Sequence, residues 1–394
     1  MKNNPRFLNL QLIFSISIIA VLGLTTITPA FPRIAEVFAI GKEQVGYLMA
    51  VFTLPGIVLT PLAGVLADRY GRKRVLVPSL LLFGAMGFAC SFVRDFELLL
   101  LFRFLEGVGA ASLGALNVTL IGDLFEGKDR VAVMGYNAAV LSVGTAGFPL
   151  IGGALASLEW YYVFYLPLAA IPVGIAVVLL LKKENLAPET SISNYFRLAW
   201  YGMKNRRVAT IFIATLASYI VLFGAFLNYI PFLVERITGS ADPKFIGIVL
   251  SSMSAVTALC SPFLRRISRH FRLETLLKTS FVLYACGLLF MPVLDSKLLI
   301  FVPTIIYGVA QAFFLPVSQS LLVDETESAN RAGIMSVNRM ITQIGQTAGP
   351  LLMGLAYGGF ELDGVFFVGA GFAFLVMILL VVQFKKIDMA GNEQ

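Results

Sequence analysis

Twelve apolar stretches, each long enough to cross a lipid bilayer, dominate this chain of 394 residues. Hydrophobic residues make up 58% of the sequence and charged residues only 13%, whereas a soluble domain carries about a quarter charged residues. The charges are clustered between the apolar stretches. Because the hydrocarbon layer, roughly 30 Å thick, offers no water to backbone groups, each stretch must be helical. The sequence therefore predicts an all-α membrane protein with twelve transmembrane helices.

The apolar stretches form two groups of six, separated by a polar segment in the middle of the chain. We predict spans at 8–31, 44–66, 74–94, 97–121, 131–156, 160–181, 208–234, 245–264, 274–294, 298–322, 332–357 and 363–384. The polar segment contains a short amphipathic stretch around Trp200, which is expected to lie on the membrane surface. The predicted organisation is an N-terminal half at 1–181, a cytoplasmic linker at 182–207 and a C-terminal half at 208–394.

The cations lie mainly on one side of the predicted spans. With both termini in the cytoplasm, 21 of the 30 Lys and Arg residues fall in inside-facing segments and six in outside-facing ones, as the positive-inside rule requires. The sequence predicts a multi-pass protein of a bacterial-type plasma membrane with cytoplasmic termini. Since the net charge of +7 is located at helix ends beside lipid headgroups, it does not indicate nucleic-acid binding.

Cysteine and histidine give no sign of redox or metal chemistry. The three cysteines lie inside apolar stretches without paired or metal-ligand spacing, and the single His270 lies in a basic loop. The sequence contains no evident nucleophile–base set and no phosphate-binding loop. We therefore expect a protein that is not an enzyme, with no metal and no cofactor.

The two groups of spans repeat each other at a constant distance of 201 residues. Adding 201 carries Pro61, Gly107, Asp123, Arg130, Gly144, Pro149 and Gly153 onto Pro262, Gly308, Asp324, Arg331, Gly345, Pro350 and Gly354. A constant offset across six helices indicates two pseudo-symmetric halves. Two parallel halves with a site between them are typical of a transporter.

Three segments carry a resemblance to a known family. The segment Gly64–Lys73 resembles the loop signature of the major facilitator superfamily between helices 2 and 3. The segment Arg103–Ala111 resembles its helix-4 signature. Gly144, Pro149 and Gly153 resemble the helix-5 signature of the twelve-helix drug/proton antiporter branch, although Phe148 stands where that signature has glycine. The resemblance implies a monomer that moves a small-molecule substrate between two rocking halves.

The resemblance also implies a conformational latch at the cytoplasmic loop. Its residues are Gly64, Asp68, Arg69, Gly71 and Arg72. In the family the loop carboxylate stabilises the state that is closed to the cytoplasm, and a carboxylate near a helix N-terminus is favourable. In the second half, arginines replace the loop carboxylate and glycines, which predicts a latch on one side only. The alternative is a loop that sets topology alone.

Ionisable groups inside membrane helices are costly and are commonly functional. Arg103 and Glu106 are three residues apart on helix 4 and therefore share a face with Asn117. Burial disfavours a charged carboxylate, while the neighbouring guanidinium favours it. Two readings remain open: Glu106 carries protons with the help of Arg103, or the two form a permanent ion pair.

A second buried cation, Arg339, lies in helix 11 on a stripe with Ser336, Gln343 and Gln346. It either lines a central cavity and contacts substrate or braces neighbouring helices. Isolated polar residues in other spans are further candidates for the cavity: Thr26, Asn117, Ser218, Tyr229 and Gln311. Small or rigid residues predict close helix packing: Gly144, Pro149, Gly153, Gly345 and Pro350.

The sequence thus predicts a secondary active transporter. The favoured function is proton-coupled efflux of small amphipathic compounds by alternating access, with protons, a small-molecule substrate and membrane lipid as the partners. An exporter or uniporter of a specific metabolite or anion is the alternative within the same fold. A non-transporting membrane receptor or scaffold is the alternative of another class.

Overall fold

The computed structural model describes residues 5–181, 197, 202–327 and 330–392, and these residues are almost entirely helical. The helices that are long and apolar enough to cross a membrane begin with α1 (Leu8–Phe38), α2 (Lys42–Tyr70), α3 (Arg72–Phe92), α4 (Phe96–Leu124), α5 (Gly127–Ala156) and α6 (Trp160–Leu180). They continue with α7 (Arg206–Thr238), α8 (Pro243–Ile267), α9 (Leu273–Val293), α10 (Phe301–Asp324) and one long helical segment, Gly333–Lys386. Most of the predicted linker, including the stretch around Trp200, lies outside the described residues.

The long helical segment at the end is two spans rather than one. Glu361 has φ 59° and ψ −162° inside it, a backbone conformation that breaks a right-handed helix. The segment therefore divides into α11 (331–360) and α12 (362–392). The prediction of an all-α protein with twelve transmembrane helices is confirmed.

Two helices extend beyond the ends that the sequence predicted. Span 1 was expected to end at residue 31, but it passes through a 3₁₀ turn, Thr28–Ala30, into a further helix, Phe31–Phe38. Pro32 explains the restart, because proline suits the first turn of a helix. Helix α2 continues to Tyr70 rather than 66, and Gly71 ends it with φ 95°, a conformation open to glycine.

We call helices α1–α6 the first set and helices α7–α12 the second set. We call the end of the bundle that contains the α2–α3 turn at Gly71 the basic end, and the end with the α1–α2 and α7–α8 turns the far end. Inside each set the same close contact recurs. Gly107 on α4 lies against the Phe52 carbonyl of α2, and Gly308 on α10 lies against the Met253 carbonyl of α8. These pairs differ by the same 201 residues as the sequence repeat.

The two sets meet closely towards the far end. Gly247 on α8 lies against the Pro149 carbonyl of α5, and Gly153 lies against the Pro243 carbonyl; neither glycine has room for a Cβ atom. At the related position, Gly46 on α2 lies against Pro350 on α11. We call these contacts the glycine–proline interlock. Because Gly46 and Pro149 become Gly247 and Pro350 on adding 201, the interlock has two pseudo-symmetric arms.

Candidate functional site

The polar stripe of α11 faces the first set of helices. Thr347 lies 2.8 Å from Thr53 of α2, hydroxyl to hydroxyl. Four residues towards the basic end, the Gln343 side-chain amide packs against Gly56 of α2. Gln346 is buried on the same stripe with its Oε1 unpaired among the described residues. The stripe therefore lies at the junction between the two sets, where the sequence placed a central cavity.

Arg339 lies one turn further towards the basic end. Its guanidinium packs against Gly114 of α4, at the point where a Cβ would stand. The side chain is nevertheless exposed, about 12 Å from the start of α11 by the helical rise of 1.5 Å per residue. A side chain that is both exposed and surrounded by helices lines a cleft between the two sets. Tyr219 of α7 lies on another side of Arg339 and close to Thr342.

The Arg103–Glu106 pair lies elsewhere, inside the first set. Arg103 is 1% exposed and Glu106 is 0% exposed, and Nη1 of Arg103 lies 2.8 Å from Oε2 of Glu106. Arg103 also donates to the Gly23 carbonyl of α1 at 2.9 Å and stacks 4.3 Å above the Phe52 ring of α2. The pair therefore connects α1, α2 and α4.

The second oxygen of Glu106 has an unmade hydrogen bond. Among the described residues, no donor reaches Oε1 of Glu106, which lies beside Gly87 of α3. Two opposing effects act on the protonation of Glu106. Burial favours the neutral acid, whereas the Arg103 guanidinium favours the charged carboxylate. The arrangement is compatible with a proton carrier and with a fixed brace.

Asn117 belongs to a buried polar cluster of the first set rather than to the cleft. Its amide donates to the Ser17 hydroxyl of α1 and to Oδ1 of Asn137 on α5, the latter at 3.2 Å. The Ser17 hydroxyl also contacts Asn137. Reasoning from the sequence missed Ser17 and Asn137. The repeat carried a signal, because they become Ser218 and Asn338 on adding 201.

Ser218 and Gln311 belong to a corresponding buried cluster of the second set. Tyr284 of α9 joins them: its hydroxyl donates to Oε1 of Gln311 at 2.5 Å and lies 3.3 Å from the Ser218 hydroxyl. Tyr307, at the position of Glu106 plus 201, has its ring centre 4.7 Å from that of Tyr284, with the two rings tilted by 44°. Reasoning from the sequence missed both tyrosines, which stand alone in apolar stretches.

Thr26 and Tyr229 lie near the interlock at the far end. The Thr26 hydroxyl donates to the Leu22 carbonyl of its own helix. The Tyr229 hydroxyl donates to the Met353 carbonyl at 3.3 Å, and its ring stacks 5.4 Å from Tyr357. The structure therefore distributes the predicted cavity residues among four places, with Arg339, Gln343 and Gln346 at the cleft or its edge.

At the basic end, Arg72 binds two carboxylates. It forms an ion pair with Asp68 of α2, and its Nε lies 3.0 Å from Oδ2 of Asp123 on α4. The side chains of Arg72 and Asp68 are 8% and 15% exposed. The Arg69 guanidinium lies 5.5 Å from the centre of the Tyr70 ring. Gly64 has open space where a Cβ would stand, so this structure shows no close helix packing there.

A matched pair of arginines caps helix ends in the two sets. Nε of Arg130 donates to the Phe125 carbonyl at 2.9 Å, and Nε of Arg331 donates to the Thr326 carbonyl at 3.2 Å. Each arginine binds the backbone just beyond the preceding helix, where carbonyls lack helical partners. The repeat therefore extends to the loops at the basic end.

Four of the five predicted packing residues lie at close contacts between helices, whereas Gly144 meets only a side chain of its own helix. Pro149, Gly153 and Pro350 form the interlock, and Gly345 lies against the Leu216 carbonyl of α7. The Phe148 ring lies over Gly144 on its own helix and belongs to the same buried cluster as Ile19 and Leu22 of α1. The bulk of Phe148 is thus directed into the first set and leaves the contact of α5 with α8 intact.

Comparison with known proteins places this arrangement in a family. A family model described as Major Facilitator Superfamily matches residues 13–241 and 237–389. The chain is 24% identical over 402 residues to the Bacillibactin exporter of Bacillus subtilis (strain 168), covering 98% of each chain. It is 27% identical over 344 residues to Multidrug resistance protein 1 of the same organism, covering 86% of this chain and 87% of the relative.

A solved structure shares the fold over almost the whole length. The crystal structure of the nucleoside transporter NupG matches with a TM-score of 0.81 at 16% identity, covering 97% of this chain and 100% of that chain. At this identity the likeness concerns the fold alone. The family model and the shared architecture together confirm the resemblance that the loop and helix signatures carried: the chain belongs to the Major Facilitator Superfamily.

Proposed function

We propose that the protein is a secondary active transporter that exports small amphipathic compounds by alternating access. The observation that carries the proposal is the glycine–proline interlock, which brings the two sets together at the far end while Arg339 stays accessible between them. A central site reached from one end only is what one state of an alternating-access cycle requires. The direction of transport is supported by relatives named as an exporter and as a multidrug resistance protein.

The proposal includes a division into two rocking halves, 1–181 and 208–394, joined by a linker at 182–207. The duplicated contacts of Gly107 and Gly308 support this division. We place the basic end and both termini in the cytoplasm, because most of the cations lie on that side. The described state is then open to the cytoplasm, where an exporter takes up its substrate.

The latch acts in the opposite state of the proposed cycle. When the interlock opens, the cytoplasmic ends of the halves approach each other, and Asp68 and Arg72 lie where α2 meets that interface. The pair holds α2, α3 and α4 together through Asp123, so the three helix ends move as one body. A rigid end stabilises a closed state better than three independent helices do.

We assign energy coupling to protons and to the Arg103–Glu106 pair. Protonation of Glu106 releases one partner of Arg103, whose other contacts are the α1 carbonyl of Gly23 and the Phe52 ring of α2. A change of charge at Glu106 therefore alters the forces that connect α1, α2 and α4. The proton gradient is the energy source in this proposal, and no protein-bound cofactor takes part.

Reconstitution into liposomes tests the proposed function. Purified protein would be sealed into vesicles with an imposed pH gradient, and proton flux would be followed while a chemically diverse panel of amphipathic compounds is added. We expect compound-dependent proton flux in wild type. Downhill movement of one compound without proton flux would support a uniporter of a specific metabolite. No movement of any compound would leave a receptor or scaffold as the better description.

A further inference from the structure

We propose that the central cleft selects amphipathic anions, with the carboxylate of the substrate bound to the Arg339 guanidinium and its apolar body packed against the first set of helices. This inference rests on the proposed transport function and adds the class of substrate. It explains why a cation is retained in the middle of a membrane protein, where each charge has a high energetic cost.

Arg339 has no counter-ion in the part of the chain that the structure describes. Among the described residues, no Asp or Glu lies within ion-pair distance of Arg339, and Tyr219 is the one titratable group with a notable charge interaction with it. An arginine inside a membrane helix is stable only when carboxylates, carbonyls, water or a ligand satisfy it. Because Arg339 is exposed and lacks a carboxylate partner among the described residues, it is available to a ligand.

Three carboxylates of α4 and of the end of α10 are already paired with other arginines. Glu106 and Asp123 of α4 are bound by Arg103 and Arg72. On α10, Glu325, just beyond the helix end, is bound by Arg207 at 2.7 Å. These acids are therefore not available to neutralise Arg339 without breaking another ion pair.

The surroundings of the Arg339 guanidinium are apolar on α4 and polar on α7 and α11. Gly114 forms the wall of α4 opposite Arg339, and Val118, one turn further along α4, is 43% exposed. Gln343 lies one turn away on α11, and Tyr219 adds a hydroxyl from α7. The cleft therefore presents a cation with polar neighbours on one side and a small, apolar surface on the other.

The sequence repeat is asymmetric at the cleft. Arg339, Gln343 and Gln346 of α11 correspond, after subtracting 201, to Ala138, Ser142 and Thr145 of α5. Helix α11 thus carries a cation and two amides at positions where α5 carries small side chains. An amphipathic anion matches this pair of walls, because its charged and apolar ends require different surroundings.

The chemistry at Arg339 distinguishes acids from their neutral and basic analogues. A guanidinium binds a carboxylate through two parallel hydrogen bonds between opposite charges. An amide of the same shape loses the charge, and an amine of the same shape is repelled. A cleft built for lipophilic cations would give the reverse order of affinities.

Binding to purified protein in a neutral detergent tests the inference without requiring transport. The probes are three amphipathic carboxylates of different size (indole-3-acetate, 1-naphthaleneacetate and dodecanoate), each compared with its amide and its amine. We expect at least one acid to bind about tenfold more tightly than its amide and its amine. Arg339→Gln should remove that preference while leaving amide binding unchanged, and Arg339→Lys should keep part of it.

Two further variants distinguish a specific loss of acid binding from a general folding defect. Gly114→Ala places a methyl group where the guanidinium lies and should weaken acid binding without removing the charge. Arg33→Gln removes an exposed cation that is paired with Glu36 outside the cleft and should change nothing. Melting temperature and gel-filtration profile establish that each variant is folded.

The outcomes separate this inference from the proposed function. Acid preference that depends on Arg339 supports the inference, whatever the vesicles transport. Transport of amines or neutral compounds with no acid preference in any probe set, or acid binding unchanged in Arg339→Gln, overturns the inference and leaves the transporter intact. Acid binding without movement of any compound across vesicles overturns the proposed function instead.

Discussion

The hydroxyls of Thr53 and Thr347 lie 2.8 Å apart across the two sets of helices, and both residues are buried. On one side of this hydroxyl pair α2 and α11 are in direct contact, and on the other side they border the cleft. Towards the far end the helices touch through Gly46 and Pro350. Towards the basic end the next residues of α11 are Gln343 and Arg339, which border the cleft.

Removing the Thr53 hydroxyl should favour the state that is open at the far end. A typical hydrogen bond contributes about 1 kcal/mol, which corresponds to roughly a fivefold shift in a two-state equilibrium. Thr347 keeps its bond to the Gln343 carbonyl, so Thr53→Val leaves no unpaired donor there. The shift can be measured as the distance distribution between spin labels at the exposed positions Glu36 and Ser240. Thr279→Val, which loses only a bond within its own helix, is the control and should leave the distribution unchanged.

A side chain at Gly247 should prevent closure of the far end. No Cβ fits between Gly247 and the Pro149 carbonyl, and so Gly247→Val must separate α8 from α5. We expect transport to fall by about tenfold or more, in line with a steric cost above 1.4 kcal/mol, and the same label distance to increase. Gly358 has open space around its Cβ position, which makes Gly358→Val the matched control. Normal closure in the Gly247 variant would contradict the role of the interlock.

Asp68→Asn should impair transport while the protein still inserts in the membrane. The substitution removes one of the two carboxylates that Arg72 binds. Because asparagine keeps an oxygen that can accept from Arg72, and Asp123 still pairs with Arg72, the loss is about 1 kcal/mol, and a severalfold decrease in rate is the expected size. Initial uptake into vesicles measures it, with the exposed Glu126→Gln as the control. If Asp68→Asn transported at the wild-type rate, the loop would set membrane topology and would not act as a latch.

The Arg103–Glu106 pair should behave asymmetrically when its members are removed one at a time. Arg103→Leu leaves a fully buried carboxylate without its cation, and breaking a buried pair in this way costs about 3–5 kcal/mol. Glu106→Gln costs less, since Arg103 keeps the Gly23 carbonyl and the Phe52 ring. Thermal unfolding in detergent measures both. Equal losses would mean that the carbonyl and ring contacts carry little weight.

Glu106→Gln also tests the assignment of proton coupling. With no group at this position to gain or lose a proton, the imposed pH gradient should no longer drive transport. Downhill movement of the same compound should persist, because Arg339 and the cleft are untouched. The ratio of gradient-driven to downhill flux is the measurement. A ratio equal to that of wild type would assign coupling to another residue.

Hydropathy and charge were sufficient to predict most of the fold. Twelve spans follow from the length of apolar segments, since the bilayer sets one scale for all of them. Helix ends were less predictable because they depend on local backbone geometry. The extension of α1 to Phe38 needed the turn around Pro29, and α2 ended only where Gly71 adopts a positive φ.

The candidate site was predictable in its residue types but not in its grouping. Asn117 was placed with Glu106 because both lie on one face of α4, yet its partners are Ser17 and Asn137 on other helices. Such partners are set by the rotation and depth of neighbouring helices, which a single sequence does not encode locally. Arg339 was recognised because a cation in a membrane helix is rare in any packing.

The interlock joins its helices through glycines and through the backbone and ring atoms of prolines, whereas the cleft presents polar side chains. Closing the far end and recognising a substrate therefore depend on different parts of the molecule. A lineage of such proteins is free to exchange Arg339, Gln343 or the small residues of α5 as its chemical environment changes, with the closing surface preserved. Because of that separation, substrate specificity can change while the helix contacts that close the far end stay the same.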